Sequence, residues 1–213
     1  MKNILVNGCS HAAGSECSTS FGEVFANSID YNLTNIAHPG GSNHRILRTT
    51  IEWIEQNRNP DFVLIAWSTH ERFEFSYDTN LTDYTLCKTS TDTQLEQYYR
   101  YADLHLADWD IGLDFTLTYQ LALQTYLTSK DIPYLYCNMF NSIPVQCQKP
   151  TWKALDTSKY YKPHVGLIEH YIEQYPTMFS NTMHATDPYV HQQIATDLLA
   201  FTHGVLDEQS DKS

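Results

Sequence analysis

The stretch Gly8-Cys9-Ser10-His11 follows directly on the apolar run Ile4-Leu5-Val6 and carries the first chemistry in the chain. A hydroxyl or thiol becomes an effective nucleophile when a base within hydrogen-bond reach takes its proton, and the oxyanion it generates needs fixed donors. Ser10 and Cys9 both qualify by residue type. Further on, Ser68-Thr69-His70-Glu71-Arg72 follows a second apolar run, and His184 and His191 flank Asp187-Pro188 near the end. Arg72 could fork onto a carboxylate, phosphate or sulfate, with Glu74 beside it. The plainer reading of these two is a structural ion pair with each other or with Arg45.

These residues need elements to position them. Ile4 to Val6, closed by Asn7-Gly8, fits a strand buried on both faces of a parallel sheet, which puts Ser10 just past its carboxyl end. Phe21, Val24, Phe25 and Ile29 recur at helical spacing, and Leu33 to Ile36 is a weaker strand. The loop His38-Pro39-Gly40-Gly41-Ser42-Asn43 breaks the chain. A helix follows over 44–57, with Leu47, Ile51 and Ile54 on one face and Asn43 as its N-cap. Phe62 to Trp67 is the strongest strand. The spacing then predicts a helix over 113–127, a strand over 133–137 and a helix over 165–173. Asp187 caps a last helix opened by Pro188, with Val190, Ile194 and Leu198 four apart.

Strands alternating with helices predict an α/β fold, a parallel sheet covered on both faces, whose carboxyl edge gathers function. Residues 72–110 depart from this rhythm and read as an insertion rich in Tyr, Thr and Asp. Its aromatic residues, Phe73, Phe75, Tyr77, Tyr84, Tyr98, Tyr99, Tyr101 and Trp109, suit a local core, a sugar-stacking wall or a dimer contact. Asp108, Asp110 and Asp114 lack a calcium-loop pattern and read as a solvated acidic stretch. The expectation is one domain over 1–205, with a frayed tail over 206–213.

Bulk properties narrow the function. The chain has 213 residues, is 42% apolar and 18% charged, and carries a net charge of −12. That balance argues against a surface that tracks nucleic-acid phosphates. Five cysteines at irregular spacing suggest reduced thiols rather than a disulfide framework or a zinc site, so no metal and no organic cofactor is expected. No apolar run reaches the roughly 18 residues of a membrane span, and Met1-Lys2 leads into a strand instead of a signal peptide. No membrane partner and a cytoplasmic location are the expectations; a homo-oligomer is left open.

Four segments, in order, resemble the blocks of the SGNH (GDSL-like) hydrolase superfamily. "GCSHAAG" keeps Gly8, Ser10 and Gly14 of the first block, with Cys9 where the family has Asp. "NIAHPGGSN" resembles the glycine loop, and "PDFVLIAWSTHE" resembles the third block with His70 near the family's Asn position. "NTMH" supplies Asn181 and His184 where the family has Asp-x-x-His ahead of the last helix. "GGSNHRI" and "WSTHERFEF" also resemble SGNH-like proteins of tailed marine phages.

The resemblance implies a three-layer α/β/α sandwich, flavodoxin-like, with about five parallel strands. It makes Ser10 the nucleophile, His184 its base and Asn181 the residue orienting that base. Cys9 becomes a small buried side chain. Ser10 and Gly40 or Gly41 would give oxyanion donors from the backbone, and His70 or Asn43 the third from a side chain. A lost oxyanion donor costs about 2.7 to 4 kcal/mol of barrier. His191, paired with Asp187, is the other candidate base; its plainer reading is a helix-surface residue. The implied activity is hydrolysis of a small acyl ester, such as O-acetyl on a carbohydrate. Two rivals remain: a binding or structural module with weakened catalysis, and a phosphate- or sulfate-handling transferase resting on Arg72 and Arg45.

Overall fold

The computed structural model describes residues 1–72, 74–76, 83–85, 109–140 and 143–210. Strand β1 (Lys2–Gly8) leads into a single helical turn, α1 (Ser10–Ala13), then α2 (Phe21–Ser28) and β2 (Tyr31–Asn35). Helix α3 (Asn43–Gln56) precedes β3 (Phe62–Trp67), and a short antiparallel pair follows, β4 (Glu74–Ser76) with β5 (Asp83–Thr85). The long α4 (Trp109–Ser129) returns the chain to β6 (Tyr134–Asn138). Then come α5 (Pro150–Lys153), β7 (Tyr160–Tyr161), α6 (Leu167–Gln174) and α7 (Pro188–Ser210).

The main sheet has five strands in the order β2-β1-β3-β6-β7, and every pairing in it is parallel. Alternation along the strands splits the core in two. Ile4, Val6, Phe62 and Leu64 pack with Phe21, Phe25 and the α7 residues Val190, Ile194 and Leu198. Leu5, Val63, Ile65 and Trp67 face the other way, onto α3 and α4 through Ile46, Ile54, Leu113 and Leu117. This is the expected three-layer α/β/α arrangement.

The strand order reverses at β1, between β2 and β3, so the crevice above the carboxyl ends of β1 and β3 is where this topology leaves room for a ligand. Register aligns Gly8 with Ala66 and Ala66 with Cys137 along that edge. Small side chains let the turns above the edge close down.

Several local expectations need correction. Ser42, not Asn43, caps α3: its Oγ accepts the Arg45 N–H at 3.1 Å. The last helix continues to Ser210, into the segment expected as a tail. The two-residue β7 escaped sequence reading because it is too short to show periodicity. Of the proposed insertion, most residues from 77 to 108, and Phe73, lie outside the described residues. Its aromatic wall and Asp108 therefore receive no structural account. Asp110 and Asp114 both pair with Lys149.

Candidate functional site

The turn after β1 places Ser10. Cys9 is extended and fully buried among core residues, and Ser10 opens α1 at 5% exposure. Gly8 allows this approach: a Cβ there would stand 2.7 Å from Ala12 Cβ and 2.8 Å from the Ala66 carbonyl. Cys9 thus behaves as the small buried side chain expected of it.

The loop after β2 closes over the same turn. His38 N–H donates to the Gly8 carbonyl at 3.1 Å, and Gly41 N–H closes a turn onto the His38 carbonyl at 2.9 Å. Gly40 takes the left-handed φ of 76° that this turn requires. Gly41 N–H is therefore committed, which leaves Gly40 as the glycine whose N–H is not tied into the turn. Asn43 is also committed: its amide donates to the Ser68 carbonyl and to Thr116 Oγ1, both at 3.0 Å, and accepts the Ser68 N–H at 2.7 Å. Its amide fastens α3 to the end of β3 and to α4, so it is not an oxyanion donor. His70 is buried at 5% exposure against α4, its carbonyl packed where Gly112 has no side chain. Burial lowers its imidazole to about 4, so the ring is neutral near pH 7.

His184 is presented by a tight turn. Ser180 N–H donates to the His184 carbonyl at 2.8 Å, Met183 takes φ 63°, and Phe179 bridges to Ala185. Asn181 sits exposed at the tip and makes no hydrogen bond to His184. This corrects the role expected for Asn181. The imidazole is held instead by Thr182 Oγ1 at 3.0 Å and by Glu16 Oε1 at 3.1 Å, both at Nδ1. Thr182 gives its hydroxyl proton to Glu16 Oε1 at 2.6 Å, so the proton shared with His184 must come from Nδ1–H. That network fixes the tautomer with the lone pair on Nε2, an atom that is enclosed and has no hydrogen-bond partner among the described residues. The Thr182 and Ser180 hydroxyls, and after them His184, hold the Glu16 carboxyl below its usual range.

His11 brings this imidazole to the Ser10 turn. Its ring stacks on His184 with centroids 4.8 Å apart and meets Phe140 edge-on at 4.9 Å. Burial, then the neighbouring His184, Arg72 and His191 charges, lower His11 to about 3. Ser10 Oγ and His184 Nε2 are not bonded to each other, and catalytic hydrogen bonds often form only when substrate binds.

Arg72 lies on the same rim, with Nη1 donating to Ser68 Oγ at 2.8 Å and Cζ 5.6 Å over the Phe140 ring. Glu74 does not join it. Its carboxylate accepts from Arg48 Nε at 3.2 Å and Nη2 at 2.8 Å and meets His44 Nδ1 at 3.1 Å, in an ion cluster that pins β4 to α3. The substrate-binding role expected of Glu74 is corrected accordingly.

Asp187 caps α7 as expected, accepting the Tyr189 N–H at 2.9 Å. His191 is not on the surface: it is 2% exposed, and its Nδ1 accepts the Phe21 N–H at 3.1 Å. It secures the first turn of α2. Glu16, Thr182 and His11 were missed by sequence reasoning. Only the adjacency of His11 to Ser10 offered a local signal.

The structural comparisons agree with this architecture. The chain is similar to the psychrotrophic esterase EstA of a Pseudoalteromonas species, at TM-score 0.55 and 13% identity over 97% of this chain and 100% of that one. It is similar to the acetyl xylan esterase Est2A of Butyrivibrio proteoclasticus at TM-score 0.51 and 11% identity, over 97% and 64% of the two chains. A carbohydrate esterase family 2 enzyme of Myceliophthora fergusii gives TM-score 0.52 and 13% identity over 96% and 66%. The protein has the α/β fold of the SGNH hydrolases. By sequence, residues 12–158 match the family of unknown function DUF6071, and the chain belongs to that family. No curated protein matches it by sequence.

Among the described residues no helix is long and apolar enough to cross a membrane, and no group of His, Cys, Asp and Glu could hold a metal ion.

Proposed function

We propose that the protein is a serine ester hydrolase of the SGNH type. Ser10 Oγ attacks the ester carbonyl while His184 Nε2 takes its proton. The alkoxide leaves with that proton, and water then repeats the sequence to free the acyl group and restore Ser10. Ser10 N–H and Gly40 N–H serve the oxyanion, with the neutral His70 ring as the side-chain donor. Glu16 and Thr182 hold His184 in the tautomer that accepts at Nε2, the part first assigned to Asn181.

The observation that carries this reading is the state of His184. Nδ1 is fixed by a carboxylate and a hydroxyl, and Nε2 is left without a partner beside the turn that bears Ser10. The structural His191 also has a buried Nε2 without a partner among the described residues, so what sets His184 apart is the carboxylate and hydroxyl at its Nδ1 together with its stack on His11, the neighbour of Ser10. The three esterases of like fold favour a small acyl ester, including acetyl on a carbohydrate, as substrate. The test is hydrolysis of p-nitrophenyl acetate and mass-spectrometric labelling by a fluorophosphonate. Wild type should turn over and gain the phosphonyl mass on Ser10, whereas Ser10→Ala and His184→Ala should do neither. Equal rates and no label in all three would leave the fold as a binding module.

A further inference from the structure

Arg72 differs from five other cations of this protein. Arg48, Lys130, Lys149, Lys159 and Lys162 each have a carboxylate within 4.0 Å. Arg72 has none among the described residues. Its recorded contacts are neutral: the Ser68 hydroxyl at Nη1 and the Phe140 face below Cζ. These hold the guanidinium plane at two points, and among the described residues Nε and Nη2 have no hydrogen-bond partner. The half-buried side chain is thus positioned, and no carboxylate of the described residues neutralises it.

The same residues tie Arg72 to the proposed chemistry. Phe140 carries Arg72 on its face and meets the edge of His11, and His11 stacks on His184. One unbroken packing line therefore runs from the cation to the base. His11 is neutral at neutral pH, so it adds no second cation. The net charge of −12 does not cancel this local field, because exposed charges beyond a Debye length of about 8 Å are screened at physiological salt. A planar fork with free donors is suited to bidentate recognition of an oxyanionic group.

We propose that Arg72 is the specificity residue of the site and that the natural ester carries an anionic group, a carboxylate or a phosphate, near the scissile bond. The inference rests on the ester-hydrolase reading. Arg72 binds the anion through Nε and Nη2 while Ser68 and Phe140 keep the guanidinium in place.

Three matched acetyl esters test it: 4-acetoxybenzoate, 4-acetoxyphenyl phosphate and the neutral methyl 4-acetoxybenzoate. For the wild type, kcat/KM should favour at least one anionic ester over the neutral one by about tenfold or more, and the better of the two names the group. Arg72→Ala should bring that ratio to about one, and Arg72→Lys, which keeps the charge but loses the fork, should retain part of it. Calorimetric titration of Ser10→Ala with the same compounds reads binding without turnover. If the wild type hydrolyses none of them, the hydrolase reading fails, and the titration alone decides for or against the anion site. A neutral ester handled as well as both anionic ones, or a preference that survives Arg72→Ala, overturns the inference.

Discussion

Glu16 Oε1 lies 3.1 Å from His184 Nδ1, joining the loop after the first helical turn to the turn before the last helix. The carboxylate reaches the imidazole from a loop, not from the position three residues before the histidine. Asn181, at that position, is exposed and uninvolved. The acidic partner of the proposed base thus comes from the loop after α1.

Glu16→Gln should lower kcat/KM for p-nitrophenyl acetate by about 10²-fold, and Asn181→Ala should stay within about twofold of wild type. Replacing the buried triad Asp by Asn in the serine-protease case costs roughly 10⁴. The Glu16 side chain is 41% exposed, so solvent screens its charge and the smaller loss is expected. Thr182→Ala should fall between the two variants, because it removes one holder of Nδ1 and leaves the other. A larger loss in Asn181→Ala than in Glu16→Gln would reverse the assignment.

The frame of the fold was legible because burial writes itself locally. Ile4-Leu5-Val6 and Phe62 to Trp67 are apolar on consecutive residues, as strands covered on both faces must be, and Phe21, Val24 and Phe25 show α2 by their helical spacing. Motif order singled out Ser10 and His184 as the candidates on which the proposal rests. Glu16 was not, since its bond to Thr182 spans 166 positions and leaves no spacing to read. Asn43 misled for a related reason: an amide in a glycine loop suggests a donor to substrate, yet Ser68 and Thr116, both distant in sequence, occupy it.

Asn43→Ala should destabilise the fold by about 2 to 3 kcal/mol in urea unfolding. The buried amide satisfies the Ser68 N–H and its carbonyl together with the Thr116 hydroxyl, and truncation leaves those groups buried without it. Asn43→Asp keeps the acceptor for Ser68 N–H but faces the Ser68 carbonyl with a carboxylate, and should be no more stable than the alanine variant. A loss below about 0.5 kcal/mol for Asn43→Ala would show that the amide does not hold this junction.

Stability should fall as pH drops from about 7 toward 4. His11 is lowered to about 3, and His70 and His191 each to about 4, in every case chiefly by burial. A folded-state value below the unfolded one of about 6.5 means that the unfolded chain binds more protons in this window. The contribution is therefore complete above the unfolded value and is lost on acidification toward the folded one, by up to roughly 2 kcal/mol per group at pH 4.5. Urea unfolding at pH 7.5 and 4.5 measures it. His191→Gln, whose side-chain carbonyl can accept the Phe21 N–H without titrating, should shrink the difference between the two pH values. An unchanged difference would remove His191 from the account.

Gly8→Ala tests whether the tight edge above β1 is what positions Ser10. The added methyl would stand 2.7 Å from Ala12 Cβ and 2.8 Å from the Ala66 carbonyl. The first contact could be relieved by moving the α1 turn, but the second is backbone in the middle of the sheet edge and cannot retreat. Overpacking of this kind costs about 1 to 3 kcal/mol, and the part that yields is the turn carrying Ser10. Gly41→Ala is the milder comparison: its Cβ would meet the His38 and Gly8 carbonyls at 3.0 and 3.1 Å, in a loop that can shift by a few tenths of an ångström. Fluorophosphonate labelling of Ser10 should therefore slow far more in Gly8→Ala than in Gly41→Ala, at a temperature where circular dichroism shows both variants folded. Equal labelling rates in the two would mean that the β1–α1 turn tolerates displacement and that the geometry of Ser10 is set elsewhere.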